Sequence, residues 1–287
     1  MTKLFRSVKV EMWKATHNQY FYTSLGIALI LVILNIITVR GSISTATEMI
    51  LEGREMGIPF GSFKGCSLFL WWISSNMNQY SSLYYQLFPI IAAMPFGWSF
   101  CQEMRNGLMV QYALRSDRKT AVLAKYIAVF CSGGIVVAFP VLLDLLANAL
   151  ICPDESLLFY NPMTMIFSKT LLSKLFFLHP WIWSLIWCGV DFLLGGSSAV
   201  LCFIAGKRIR FSALVILIPY IIYYILAVFI LTFQNFVETE IMLDPFYIPM
   251  AQSFGPVPGW LIFLECGIFI GLSWIVTSQM VKKDDLI

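Results

Sequence analysis

Charge is scarce in this sequence: Asp, Glu, Lys and Arg make up 12% of its 287 residues, about half of what a soluble globular domain carries. That deficit excludes an ordinary water-soluble enzyme. Histidine is nearly absent too. Only His17 and His179 occur, and both fall outside the apolar runs, which argues against a histidine zinc site and against histidine-assisted proteolysis inside a membrane. There is no GxxxxGK[ST] loop, because Gly206 and Lys207 are followed by Arg208 with no suitable glycine upstream; ATP hydrolysis by that route is excluded. The cysteines at 66, 101, 131, 152, 188, 202 and 266 form no CxxC pair, so no zinc, haem or thioredoxin-like motif is present. They are expected as small apolar packing residues. No catalytic, cofactor-binding or metal-ligating residue is therefore expected. A net charge of +3, dispersed along the chain, does not make a nucleic-acid surface.

What the sequence has in quantity is apolar side chains, 59% of all residues, gathered in long runs. A helix of about 20 residues crosses a hydrocarbon layer, and six stretches suit that length: 21–39, 83–100, 124–151, 181–205, 212–233 and 260–281. The fold expected is an all-α integral membrane protein, one domain over 1–287. Pro89 and Pro95 interrupt the second span, Pro140 the third and Pro219 the fifth, which a bundle tolerates as kinks when neighbours satisfy the freed carbonyls. With both termini cytoplasmic, fourteen of the 19 basic residues fall inside, leaving Arg40, Arg54, Lys64, Lys169 and Lys174 outside. The positive-inside rule selects that orientation.

A signal peptide is not expected at the N-terminus, since about 20 residues precede the apolar run and no small-residue cleavage site closes it. Within 1–20, residues 2–18 place Leu4, Phe5, Val8 and Met12 on one helical face, which predicts an interfacial amphipathic helix. The extracellular segments are 40–82, 152–180 and 234–259. The aromatic FLWWI at 69–73 suits the membrane interface. The third segment, with Pro245, Pro249, Pro256 and Pro258, either re-enters the outer leaflet or folds back over the bundle. Inside, the sizeable connection is 101–123.

That connection reads CQEMRNGLMVQYALRSDRKTAVLAK from Cys101 to Lys125. Met104, Leu108 and Tyr112 recur at i, i+4 and i+8 beside Arg105 and Arg115, predicting a short cytoplasmic helix with one apolar edge. Such a helix either seats in a partner's groove or is a solvated connector. The order Glu103, Gly107, Ser116, Arg118, Lys125, together with six spans and an amphipathic N-terminal helix, resembles the permease subunits of ATP-binding-cassette exporters of the type-2 class. Leu108 stands where that family often has Thr, and Asp117 separates Ser116 from Arg118. The resemblance covers the layout of the whole chain. It implies an elbow helix over 1–20 and a coupling helix within 101–119, with Glu103, Met104, Arg105, Gly107, Leu108, Tyr112, Arg115 and Arg118 as coupling residues. It further implies partners: cytoplasmic ATPase subunits that bind ATP and Mg in place of this chain, and a second permease chain, identical or paralogous. Localisation in a bacterial cytoplasmic membrane follows from the same resemblance.

Three acids fall within apolar spans: Asp144, Asp191 and Glu265. Asp191 lies about 15 Å from the start of its span, near the midplane, and the other two lie closer to the outer face. An intramembrane acid costs on the order of 3 kcal/mol on insertion scales and marks a site by default. Asn148 shares a face with Asp144 at i+4. Either a structural hydrogen-bond network or contact with cargo accounts for these residues. Small residues at Gly267/Gly271, Ala93/Gly97, Gly133-Gly134 and Gly195-Gly196 predict close helix approach within the chain. The apolar, aromatic interior favours a hydrophobic or amphipathic cargo, such as a peptide or drug, moved outward. The alternative is a membrane binding or sensory protein that docks a cytoplasmic regulator and transports nothing.

Overall fold

The computed structural model describes residues 2–57, 68–76, 78–108, 118–152, 166–205, 209, 211–234, 241–252 and 255–283. Among them there is no β-strand. The helices are α1 (Thr2–Thr16), α2 (Gln19–Glu55), α3 (Leu68–Trp71), α4 (Gln79–Ala93), α5 (Gly97–Arg105), α6 (Arg118–Ile151), α7 (Ser173–Leu178), α8 (Pro180–Ala199), α9 (Ser212–Gln234) and α10 (Gly259–Lys283). A 3-10 turn over Val200–Ala205 continues α8.

Among the described residues, five segments are long and apolar enough to cross a membrane: Gln19–Thr45, Lys119–Ile151, Pro180–Ala205, Ser212–Gln234 and Gly259–Gln279. The second expected span, 83–100, is not one continuous helix. Pro95 lacks an N–H and its ring crowds the carbonyl four residues back, so the chain turns at 94–96 and splits the stretch into α4 and α5. Pro89, Pro140 and Pro219 lie inside unbroken helices. Asn18 locks the break to the chain's first corner. Its Oδ1 caps α2 by accepting from Phe21 N at 2.9 Å, and its Nδ2 donates to Ala15 O at 2.9 Å and to Pro95 O at 2.8 Å.

Burial separates centre from periphery. The α8 segment is 78% buried, whereas those of α2, α9 and α10 are 33%, 28% and 33% buried. Ile27, Ile30, Ile33 and Ile37 of α2, Ile221, Ile225 and Phe229 of α9, and Phe263, Ile268 and Ile275 of α10 are exposed. Apolar belts of this kind are foreign to soluble monomers and suit lipid chains, consistent with a multi-pass membrane protein.

The central pair, α6 and α8, crosses on glycine. A Cβ on Gly133 would stand 2.5 Å from Ala199 Cβ and 2.8 Å from Ala92 O, and one on Gly134 would stand 2.6 Å from Phe192 O. The partner helix answers in kind: Gly195 faces Val137 Cβ at 2.9 Å and Gly196 faces Phe130 O at 2.8 Å. Backbones approach this closely only without side chains between them. Gly97 is equally confined, 2.6 Å from Cys202 Sγ, whereas Gly267 and Gly271 have no neighbour within 4 Å. The predicted sites at Ala93/Gly97, Gly133-Gly134 and Gly195-Gly196 therefore pack within the chain, and Gly267/Gly271 of α10 does not.

The end remote from α1 is covered by irregular backbone. Phe246, Ile248, Met250, Ala251 and Val257 of the 241–258 segment are buried, and Ala251 N donates to Ser74 O at 2.9 Å. Three indoles tie this cover to the helices: Trp72 Nε1 donates to Val141 O at 2.9 Å, Trp183 Nε1 to Leu171 O at 3.0 Å and Trp187 Nε1 to Pro249 O at 2.6 Å. Phe69, Trp72 and Ile73 are wholly buried. The 69–73 stretch expected at the lipid interface thus contributes to the protein interior, where the Trp72 N–H finds a protein carbonyl.

Candidate functional site

At the α1 end, four charges from three helices form one cluster. Lys125 stands two turns into α6, and its side chain is only 2% exposed. Its Nζ contacts Glu103 Oε2 of α5 directly and lies 3.4 Å from Glu11 Oε2 of α1. Glu11 Oε1 accepts from Lys14 Nζ at 2.5 Å. The Phe96 ring, at the break between α4 and α5, offers its face to the same ammonium, 4.9 Å from its centroid. Two carboxylates balance two ammonium groups, the condition under which buried charge is tolerated, and the aromatic face adds a further attraction. Glu103, expected as a coupling residue, is turned into the bundle, 14% exposed at its side chain.

The rest of the expected coupling set divides at a turn. Helix α5 ends at Arg105, Asn106 N donates to Gln102 O at 2.9 Å, and Gly107 takes φ +71°, a left-handed conformation that glycine adopts without strain. Met104, before the turn, is buried at 3% exposure, and Leu108, after it, is 37% exposed. The two do not share one continuous helical edge. Arg105 is exposed. Arg118 opens α6, and Tyr112, Arg115 and Ser116 lie outside the described residues.

Asp144 is the hub of a satisfied network near the other end. Its Oδ1 accepts from Asn35 Nδ2 of α2 at 3.1 Å, and its Oδ2 accepts from Ile73 N at 2.6 Å and Asn148 Nδ2 at 2.9 Å. Asn78 extends the chain, donating to Asn35 Oδ1 at 2.6 Å while its own Oδ1 caps α4 through Ser81 N at 2.8 Å. One turn before Pro140, Tyr84 OH donates to Val137 O at 2.6 Å. Three donors on one carboxylate give Asp144 and Asn148 a structural role. Asp144→Asn is expected to lower stability by about 1–2 kcal/mol, the range of interhelical hydrogen bonds in membranes, read from thermal unfolding in detergent. Sequence reasoning missed Asn35 and Asn78; the signal was the lone carboxamide inside the apolar run of α2.

Asp191 is also wholly buried, but it has a single long donor, Tyr85 OH at 3.3 Å from Oδ2. Glu265 is less satisfied still. Its carboxyl is buried, and its one side-chain hydrogen-bond partner is the Tyr223 hydroxyl beside it, without close alignment. Asp244, on the covering segment, lies within electrostatic reach of Glu265. It accepts from Phe246 N at 2.9 Å, and burial pushes its carboxyl above the usual range despite that bond. The structure thus brings Glu103 together with Lys125 and Glu11, and Glu265 with Tyr223 and Asp244, while Asp144 and Asp191 occupy separate surroundings. Among the described residues, no cluster of three or more His, Cys, Asp or Glu is arranged to hold a metal ion. In comparisons with known proteins, the chain matches no protein-family model and no curated protein.

Proposed function

We propose that this chain is the membrane permease subunit of an ATP-driven exporter, resembling the type-2 ATP-binding-cassette class, with ATP hydrolysed by separate cytoplasmic subunits. The observation that carries the reading is the buried Glu11–Lys125–Glu103 cluster. It joins the amphipathic α1, the end of α5 that leads into the 101–123 connection, and the first turns of α6. A force applied to that connection reaches α1 and the central helix together, because separating them strands buried charge.

In this reading α1 is the elbow helix on the inner leaflet, with Phe5 and Trp13 exposed toward lipid. The pair α4 and α5 acts as a sixth, broken span, with about 22 Å and about 14 Å of helix at 1.5 Å per residue joined at the Pro95 turn. Both termini are then cytoplasmic in a bacterial inner membrane, and a second copy or paralogue completes the pathway. The cargo is a hydrophobic or amphipathic peptide or drug.

Affinity capture of the tagged chain from its native membrane, followed by an ATPase assay, is the test. A stoichiometric Walker-A subunit whose activity depends on this chain is the expected result; a chain recovered without any ATPase would defeat the proposal. Leu108→Asp sharpens it. Leu108 is exposed beyond the turn, so this variant is expected to keep wild-type thermal stability and lose ATPase co-purification by about tenfold or more, the effect of removing one apolar anchor of an interface.

A further inference from the structure

Helix α1 turns its apolar side to protein and its charge outward. Leu4, Val8 and Met12, three of the four residues that mark its apolar face in the sequence, are half-buried, and Glu11 and Ala15 are buried, where the helix packs against α6. The outward face carries Lys3, Arg6 and Lys9, all exposed, within about 120° of the helix circumference. Trp13, 63% exposed, and Val10 lie in the same arc, and the exposed Phe5 borders it. The one acid of the helix, Glu11, is turned inward to Lys14 and Lys125. Among the described residues, Lys3, Arg6 and Lys9 have no ion-pair partner. Cations without an outward acid call for an anionic partner, and an indole and a phenyl ring among them call for one that also offers hydrocarbon. Phospholipid of negative charge supplies both. A second observation marks the depth. Tyr20 and Tyr22, 46% and 59% exposed, open α2 just past the corner at 17–18, and the Trp98 ring of α5 meets that of Tyr20 edge-on at 5.0 Å. Tyr and Trp gather where a bilayer meets water, so α1 adjoins the headgroup level.

We infer that the outward face of α1 binds anionic phospholipid headgroups, a role that rests on the reading of α1 as an elbow helix lying on the membrane and names what it recognises there. Lys3, Arg6 and Lys9 meet the phosphates, while Trp13, Phe5 and Val10 enter the boundary between headgroups and acyl chains. The opposite face holds Lys125 through Glu11. Lipid outside and the ionic cluster inside therefore grip the same helix from two sides.

The experiment uses the full chain in bilayers of phosphatidylcholine and phosphatidylglycerol, one or the other brominated near the headgroup end of its acyl chains. Quenching lost in Trp13→Phe is the contribution of lipid at α1, and comparing the two brominated lipids gives their relative association there. Preference for phosphatidylglycerol is expected in the wild type. Lys9→Gln should lower it about fivefold, the scale of one cation near an anionic surface. Lys3→Gln, Arg6→Gln and Lys9→Gln combined should bring it to parity, and so should about 1 M sodium chloride, which screens such pairs. The same loss of charge at exposed residues of the other end, through Arg40→Gln, Lys169→Gln and Lys174→Gln, should leave it unchanged. Size-exclusion profiles and thermal midpoints identify any variant that misfolds, and the folded single variants then decide. Parity in the wild type, preference retained in the folded triple variant, or equal loss in the control triple would overturn the assignment. Trp13 unquenched by either lipid would overturn it as well, giving this face to a soluble acidic partner. The bilayers hold no ATPase, so parity leaves the capture test of the exporter reading standing, and failure of capture leaves the lipid preference standing.

Discussion

Lys125→Met is expected to lower the stability of the chain by about 3–5 kcal/mol, the cost of leaving a buried charge without its partner. The substitution roughly keeps the length of the side chain and removes the ammonium, so Glu103 loses its counter-charge and Glu11 keeps only Lys14. Glu103→Gln alone is expected to cost less, because Glu11 remains as a counter-charge. Combining Lys125→Met with Glu103→Gln should recover part of the loss, and the double-mutant cycle, read by thermal unfolding in detergent, isolates the coupling between the two sites. Strict additivity would show that the pair stabilises nothing. In the exporter reading, Glu103→Gln should also loosen the dependence of ATP turnover on cargo while the bundle remains folded.

Gly134→Val is the second large effect. Its Cβ would stand 2.6 Å from the backbone oxygen of Phe192, which cannot rotate out of the way as a side chain can. Overpacking in a tight core costs about 1–3 kcal/mol and more when backbone must move; the upper end or beyond is expected here, with poor recovery of folded protein from the membrane. Gly267→Val supplies the contrast. With no neighbour within 4 Å, it should leave the unfolding midpoint of the isolated chain unchanged. If both substitutions were equally tolerated, the α6–α8 crossing would not be the close contact described.

Much of the fold was legible because hydrophobic runs report membrane-scale helices directly. The same runs hid their own interruptions. Pro95 breaks its span, yet Pro89, Pro140 and Pro219 do not, and the outcome depends on whether neighbours such as Asn18 supply donors at the corner. The ionic cluster was half visible: Glu103 and Lys125 both stood in the family-like order of the inner connection, but their pairing was hidden, since hydropathy places the start of the third span near 124 and the helix begins at Arg118. Glu11 gave no signal at all, because a single acid on an amphipathic helix looks solvated until its neighbour is known. Asp144 and Glu265 look alike in sequence. Only the fold distinguishes an acid that receives three well-aligned donors from one whose single partner is the Tyr223 hydroxyl.

The tryptophan anchors carry a consequence for how the molecule can be watched. Trp72, Trp183 and Trp187 are shielded and hydrogen-bonded through their indole N–H groups at the covered end, whereas Trp13 and Trp260 are exposed. Intrinsic fluorescence therefore contains a shielded contribution from Trp72, Trp183 and Trp187 at the covered end beside accessible indoles such as Trp13 and Trp260. Any turnover cycle that parts the 241–258 segment from α8 must release the Trp187 indole from Pro249. Uncovering of this end would then appear as a red shift and a gain in iodide quenching, with no label added to the protein.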